Sequence, residues 1–311
     1  MNKIKGIIFV SIGAASYGIL ATIIKLANNN NFGTAGLTFL QYLFGVLVLS
    51  IATFLINTKS KKTISTTNTT NQTAISTSKY PRLKLMLFGT SLGLTSSFYY
   101  LSIQYVPVSV GIILLMQTVW MGILLEFFID RKLVSKAKII GSIMVLLGTL
   151  FASKVFESDF NFNIIGFVYG FLAAIFYTAS MYASNKISLE LPSLTRSKYL
   201  VYGGFLAILI FWNFQIIEEI NSVEILKWGM VLGLFGTVLP PILFSKGVPA
   251  IGNGLTSIIA ALEIPISVLS AFLILNEQIG FLQGVGIFII LITILLINVK
   301  KKEKIEKSKT L

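Results

Sequence analysis

Glu263 is a carboxylate in an expensive place: it lies near the middle of the apolar run 251–275, and Pro265 follows two residues later. An ionised carboxyl at the centre of a membrane-spanning helix costs roughly 2.5–3.5 kcal/mol on insertion scales. A proline at that depth frees a backbone carbonyl that another group must satisfy. Together they read as the lining of a buried pathway, in which Glu263 takes up a proton or pairs with a substrate ammonium. The competing reading is structural: Glu263 bonds hydroxyls or the carbonyls freed near Pro265 and only fixes its helix.

A second group supplies aromatic faces and amides. Tyr17, Tyr99, Tyr100, Gln117, Trp120, Tyr177 and Tyr182 all fall inside apolar runs. As a set they offer hydrogen-bonding rims and cation-attracting faces for a small amphipathic or amino-acid-like molecule. Each alone also reads as a packing residue. Pro240 and Pro241 break the backbone ladder of their run. With Gly233, Gly236 and Pro265 they are candidate gating elements, against the alternative of a static kink. Lys25 and Lys154 end their runs as snorkelling lysines do. Glu126, near a run's end, is expected to pair with nearby basic residues. Trp212 and Trp228 fit an aromatic belt. Gly141, Gly148, Gly284 and Gly286 fit close helix packing, within one chain or across a homodimer.

Composition bounds what this chemistry can be. Of 311 residues, 55% are hydrophobic and 12% charged, against about a quarter charged in a soluble domain. Mean hydropathy is +0.84. The fold class is all-α integral membrane, with no room for a soluble catalytic domain. Cysteine and histidine are both missing, which removes disulfides, thiol nucleophiles, zinc-protease sites and Ser-His-Asp chemistry. There is no Gly-x-Ser-x-Gly elbow and no pair of intramembrane aspartates, so no enzyme is expected, and no cofactor or metal is implied. The net charge of +13 would suggest nucleic acid in a soluble protein; here it reads as basic cytoplasmic loops.

Apolar runs long enough to cross a bilayer occur at 6–27, 35–57, 85–104, 108–129, 139–155, 163–184, 199–217, 228–247, 251–275 and 281–299. The first reads as an uncleaved helix, since it is long for a signal peptide and lacks a small-x-small cleavage site. With the N-terminus cytoplasmic, 22 of the 25 basic residues fall inside, whereas Glu157, Asp159, Glu218, Glu219, Glu224 and Glu277 fall outside. Positive charge is held on the cytoplasmic side, so ten helices with both termini inside are expected. The Ser/Thr/Asn-rich stretch within 57–84 reads as a flexible cytoplasmic loop, and 300–311 as a basic tail.

The chain also repeats itself. Gly6 and Tyr17 correspond to Gly166 and Tyr177, and Val106-Pro107 to Val248-Pro249. After a short gap, Lys132-Leu133 and Gly141 line up with Glu277-Gln278 and Gly286. Residues 1–155 and 156–299 therefore form two five-helix units. Five is odd, so the copies are inverted, and the hairpin holding Lys132 in one holds Glu277 in the other. Inverted repeats around a midplane site are a recurring transporter architecture.

The second unit, with Leu262-Glu263-Ile264-Pro265-Ile266, Asn276-Glu277-Gln278-Ile279, Gln283 and Gly286, resembles the EamA-type family of the drug/metabolite transporter superfamily. It departs from that pattern in Ile264, which separates Glu263 from Pro265, and in Asn276, which replaces a glycine. The first unit has Thr118 and Trp120 in place of the Glu and Pro. The resemblance implies a multi-pass carrier in the bacterial inner (plasma) membrane. Such a carrier exports or exchanges small organic metabolites by alternating access, with Glu263 as the coupling residue if protons drive it. An uncoupled facilitator and a non-transporting scaffold or receptor are the alternatives. The expected partners are a small-molecule substrate, the lipid bilayer, protons and a second copy, with no nucleic acid.

Overall fold

The computed structural model describes residues 2–63, 80–106, 108–130, 134–152, 163–220, 223–276 and 278–307. Pro107, Lys132, Leu133, Lys154, Glu157, Asp159, Glu277 and most of the 57–84 loop lie outside the described residues. Among the described residues every regular element is helical. The long helices α1 (Lys3–Asn29), α2 (Thr34–Thr63) and α3 (Pro81–Tyr105) are followed by two short ones, α4 (Val108–Leu115) and α5 (Thr118–Asp130). Next come α6 (Lys136–Ala152), α7 (Ile164–Lys186), α8 (Ser193–Trp212) and the single turn α9 (Gln215–Glu219). Helix α10 (Glu224–Leu232) passes through a π-helical turn, Gly233–Val238, into α11 (Leu239–Ile251). The chain closes with α12 (Asn253–Ala260), α13 (Glu263–Leu275) and α14 (Phe281–Lys307).

Among the described residues, seven helical stretches are long and apolar enough to cross a membrane. They include Lys3–Asn29, Val110–Ile129 across α4 and α5, and Asn253–Leu275 across α12 and α13. Phe54, Phe128, Ile210 and Leu273 are among their many outward-facing apolar side chains. Helix α3 is as long but less apolar, because Ser91, Thr95, Ser96, Ser97 and Ser102 lie along it. It packs on α7 and α8 through that small-residue surface, while α1 packs on α11 and α13, α2 on α8 and α10, α5 on α12, and α6 on α14. In the last pair a Cβ on Gly148 would stand 3.0 Å from the Gly286 carbonyl oxygen, so the backbones nearly touch. Gly284 faces open space and is not needed for that contact.

Two of the expected helices are broken at matching places. Each consists of 8 residues, a two-residue turn and 13 residues: α4 and α5 around Met116-Gln117, α12 and α13 around Ala261-Leu262. At both turns the bonding tightens to i→i−3. Gln117 N donates to Leu114 O (3.1 Å) and Val119 N to Met116 O (2.9 Å); Leu262 N donates to Ile259 O (3.0 Å) and Ile264 N to Ala261 O (3.1 Å). Only the second copy has a proline nearby, so Pro265 does not cause the break. It sits in the first turn of α13, where no intrahelical donor is lost.

Pro240 and Pro249 do orphan carbonyls, and both of those carbonyls have a donor. In the π-turn, Leu239 N reaches back to Leu234 O. Pro240, next in that register, has no N–H for Phe235 O, and Ser16 Oγ on α1 donates to it at 2.7 Å. Pro249 inside α11 leaves Ser245 O without its helical donor. Arg196 Nη1 fills the gap at 2.9 Å, while Nε and Nη2 donate to Ile187 O and Ser184 O at the end of α7. Expected as a loop charge, Arg196 is instead 3% exposed. Trp212, expected in an aromatic belt, is also buried, with its Nε1 donating to Ser97 Oγ at 3.1 Å.

Candidate functional site

A cavity lies between α1, α2, α3, α4, α7 and α13. Its one carboxylate is Glu263, the first residue of α13, where the positive end of the helix dipole favours an acidic side chain. The phenol of Tyr177 on α7 donates to Glu263 Oε1. The second oxygen, Oε2, has no hydrogen-bond partner among the described residues. Tyr17 on α1 stands edge-on to Tyr177, with centroids 5.9 Å apart and planes at 86°, and edge-on to Phe244 at 5.8 Å. Gly18 makes this approach possible, since a Cβ there would meet the Glu263 carbonyl oxygen at 2.6 Å. Lower down the same interface, Thr22 Oγ1 and Ser270 Oγ share a 2.6 Å hydrogen bond.

Helix α3 supplies the opposite wall. Tyr99 and Tyr100 pack at 6.1 Å, and Tyr100 donates to Gln41 Oε1 at 3.0 Å. Tyr42 from α2 bonds Ser96 Oγ at 3.1 Å. Thr95 and Ser267 add hydroxyls, and Leu20, Ile24, Leu92, Ile112, Leu115 and Met116 make the remaining wall apolar.

Of the residues expected here, Glu263, Tyr17, Tyr99, Tyr100 and Tyr177 share the cavity, whereas Gln117, Trp120 and Tyr182 do not line it. Gln117 serves the α4–α5 break. Its backbone N–H has turned to Leu114 O, and its side-chain Nε2 donates to Ile113 O, the acceptor thereby abandoned, at 3.1 Å. Trp120 Nε1 donates to Gln117 Oε1 at 2.8 Å. Tyr182 packs beside Phe88. Pro240, Pro241 and Pro265 are buried but off the cavity wall. The wall residues that the sequence reading passed over are Tyr42, Thr95, Ser96 and Ser267. Three-and-four spacing along α3, from Leu92 through Thr95 and Ser96 to Tyr99 and Tyr100, was the available signal for two of them.

The cavity residues run from mid-bundle toward the end where α1 and α3 finish and α4 begins. The opposite end is packed shut. A Cβ on Gly6 would meet Gly247 O at 3.0 Å, and one on Gly13 the ring of Phe244. Glu126 on α5 pairs with Lys138 on α6, as the sequence suggested for a nearby base. Its Oε2 also accepts from Gly254 N at 3.1 Å, at the N-terminus of α12. Gly252, which caps that helix, has φ +82°, a conformation suited to glycine.

Comparison with known families is decisive for the class. The model of the EamA-like transporter family matches residues 4–154 and again residues 164–299. The chain belongs to the EamA-like transporter family. This EamA-like protein is accordingly a multi-pass membrane protein built from two copies of the family's unit, and its class is that of small-molecule transporters. A solved crystal structure superposes on it with a TM-score of 0.70 at 14% identity, covering 93% of this chain and 98% of the other. At that identity the likeness shows a shared fold. No curated protein matches the chain.

Proposed function

We propose that the protein is a secondary transporter that carries small organic solutes through the Glu263 cavity by alternating access. The observation that carries this reading is the cavity itself. It ends at mid-bundle on a carboxylate, at the break of a helix, with the other half of the bundle packed shut. That is the arrangement expected of a carrier caught open to one side. Ten crossings in two inverted units, 1–155 and 156–299, fit the packing. The contact of α3 with α8 has its counterpart in that of α10 with α2; α3 with α7 is matched by α11 with α1, α4 with α7 by α12 with α1, and α5 with α7 by α13 with α1. Exchanging the two units maps each contact onto the other, as a two-fold axis would. The α2–α8 and α6–α14 contacts map onto themselves.

With the basic loops on the cytoplasmic side of a bacterial inner membrane, the closed end is cytoplasmic and the cavity faces outward. Export or exchange then requires the Glu126 and Arg196 end to open. Glu263 is the coupling residue. Its counterpart in the first unit, Thr118, bonds Thr178 Oγ1 at 2.8 Å instead and carries no charge. The test is solute flux in proteoliposomes with and without an imposed pH gradient. Wild-type flux responds to the gradient, and Glu263→Gln protein, inserted at equal density, does not. Gradient-insensitive wild-type flux would identify an uncoupled facilitator, and no flux of any solute a non-transporting protein.

A further inference from the structure

We infer that the cavity selects organic cations, amines or quaternary ammonium compounds carrying an apolar body, and rejects solutes bearing a carboxylate. The inference rests on the transport reading above and narrows its substrate class. Five tyrosines and one glutamate line the wall, with no lysine or arginine among the lining residues, and the chain has no histidine. Lys25 follows the wall residue Ile24 in sequence but is exposed and not part of the wall. An anionic group entering here would lose its water with no opposite charge to meet, which is costly in a low-dielectric site. A cation meets the opposite situation.

The geometry suits a cation of organic size. Tyr17 and Tyr177 stand with planes at 86°, as adjacent walls of a box do, and aromatic boxes are the recurring device for holding ammonium groups. Tyr177 occupies one oxygen of Glu263, leaving Oε2 for the ligand's charge. The Tyr42 and Tyr100 hydroxyls are held by Ser96 and Gln41 Oε1. Those of Tyr17 and Tyr99 have no partner among the described residues and can meet polar groups on the ligand. A bare metal ion is a poor fit. No group of three acidic, histidine or cysteine side chains occurs among the described residues, and the non-tyrosine wall is mostly aliphatic.

The test is a matched panel on the full-length protein: benzyltrimethylammonium, benzyl alcohol, benzoate and phenylalanine. Each is measured by titration calorimetry in detergent and by counterflow in proteoliposomes. Benzyltrimethylammonium is expected to bind about ten-fold or more tighter than the other three. Glu263→Gln and Tyr17→Leu are each expected to weaken it by at least about five-fold. The wild-type panel stands even if a variant fails to fold. Equal or better binding of benzyl alcohol, benzoate or phenylalanine overturns the inference. So does undiminished cation affinity in folded Glu263→Gln protein. If a carboxylate-bearing solute moves across the membrane without ammonium preference, the selectivity is overturned and the transport reading survives. If no solute, within the panel or outside it, moves at all, both fall.

Discussion

Tyr177 donates its phenolic hydrogen to Glu263 across 86 residues of sequence, joining the midpoint of α7 to the first turn of α13. That bond ties the second unit's first helix to its broken fourth one, and it leaves half of the carboxylate free toward the cavity. Tyr17, the residue equivalent to Tyr177 in the first unit, packs against it edge-on. The two copies therefore meet at the carboxylate through matching tyrosines, only one of which bonds it.

Replacing Tyr177 by Phe removes a single oxygen and keeps the ring. A hydrogen bond to a charged group is worth about 1.5–3 kcal/mol, so the affinity for a bound cation should change roughly five-fold or more. Thermal unfolding should shift by only a few degrees. Titration of benzyltrimethylammonium against folded variant checks this. Unchanged affinity with a lowered melting temperature would make the bond merely structural.

Two glycine-to-alanine changes should differ in sign. At Gly18 the added methyl meets the Glu263 carbonyl at 2.6 Å, whereas at Gly284 it meets nothing within 4 Å. Gly18→Ala should destabilise by about 1–3 kcal/mol through forced separation of α1 and α13 and impair flux. Gly284→Ala should be neutral or slightly stabilising through helix propensity. Melting curves of the two variants in one detergent decide it.

Arg196 satisfies three carbonyls from two helices and the loop between α7 and α8. Arg196→Met leaves them in a buried site and should cost about 3 kcal/mol or more, given about 1–3 kcal/mol for each unsatisfied buried group. Arg196→Lys, a point charge in place of a fork, should recover only part of the loss. A thermal-unfolding series of wild type, Lys and Met in that order would be contradicted by equal stabilities.

The Glu126–Lys138 pair on the closed end offers a test of opening. Glu126→Gln keeps an acceptor for Gly254 N but loses the partly buried ion pair with Lys138. Because the chain contains no cysteine, Ser257→Cys on the buried helix α12 is a clean reporter. Maleimide labelling of that site should be faster in the Glu126→Gln background. An unchanged rate would show that the pair does not hold this end shut.

Much of the fold was legible in the chain. Apolar run length and the scarcity of charge located the helices, because a bilayer leaves backbone polar groups no other partner. Matching spacings such as Gly6 to Tyr17 and Gly166 to Tyr177 revealed the repeat. The break between α4 and α5 was not legible. No proline or glycine marks Met116-Gln117, and the turn is held by an i→i−3 bond and by the side chain of Gln117 itself. Read as a ligand-binding amide, Gln117 turns out to bond its own helix.

By itself the sequence determined the membrane class, the two units and the oddness of Glu263, since each follows from composition or spacing along the chain. Only the tertiary structure decided which neighbours Glu263 has. Tyr17, Tyr99, Tyr100 and Tyr177 share its cavity while Trp120 and Tyr182 lie off the wall, a distinction set by helix rotation and crossing that no local pattern encodes. It likewise decided the fate of Arg196. An arginine in the first turn of α8 and a helix-interior proline 53 positions later become one device only when folding sets an orphaned carbonyl beside a guanidinium.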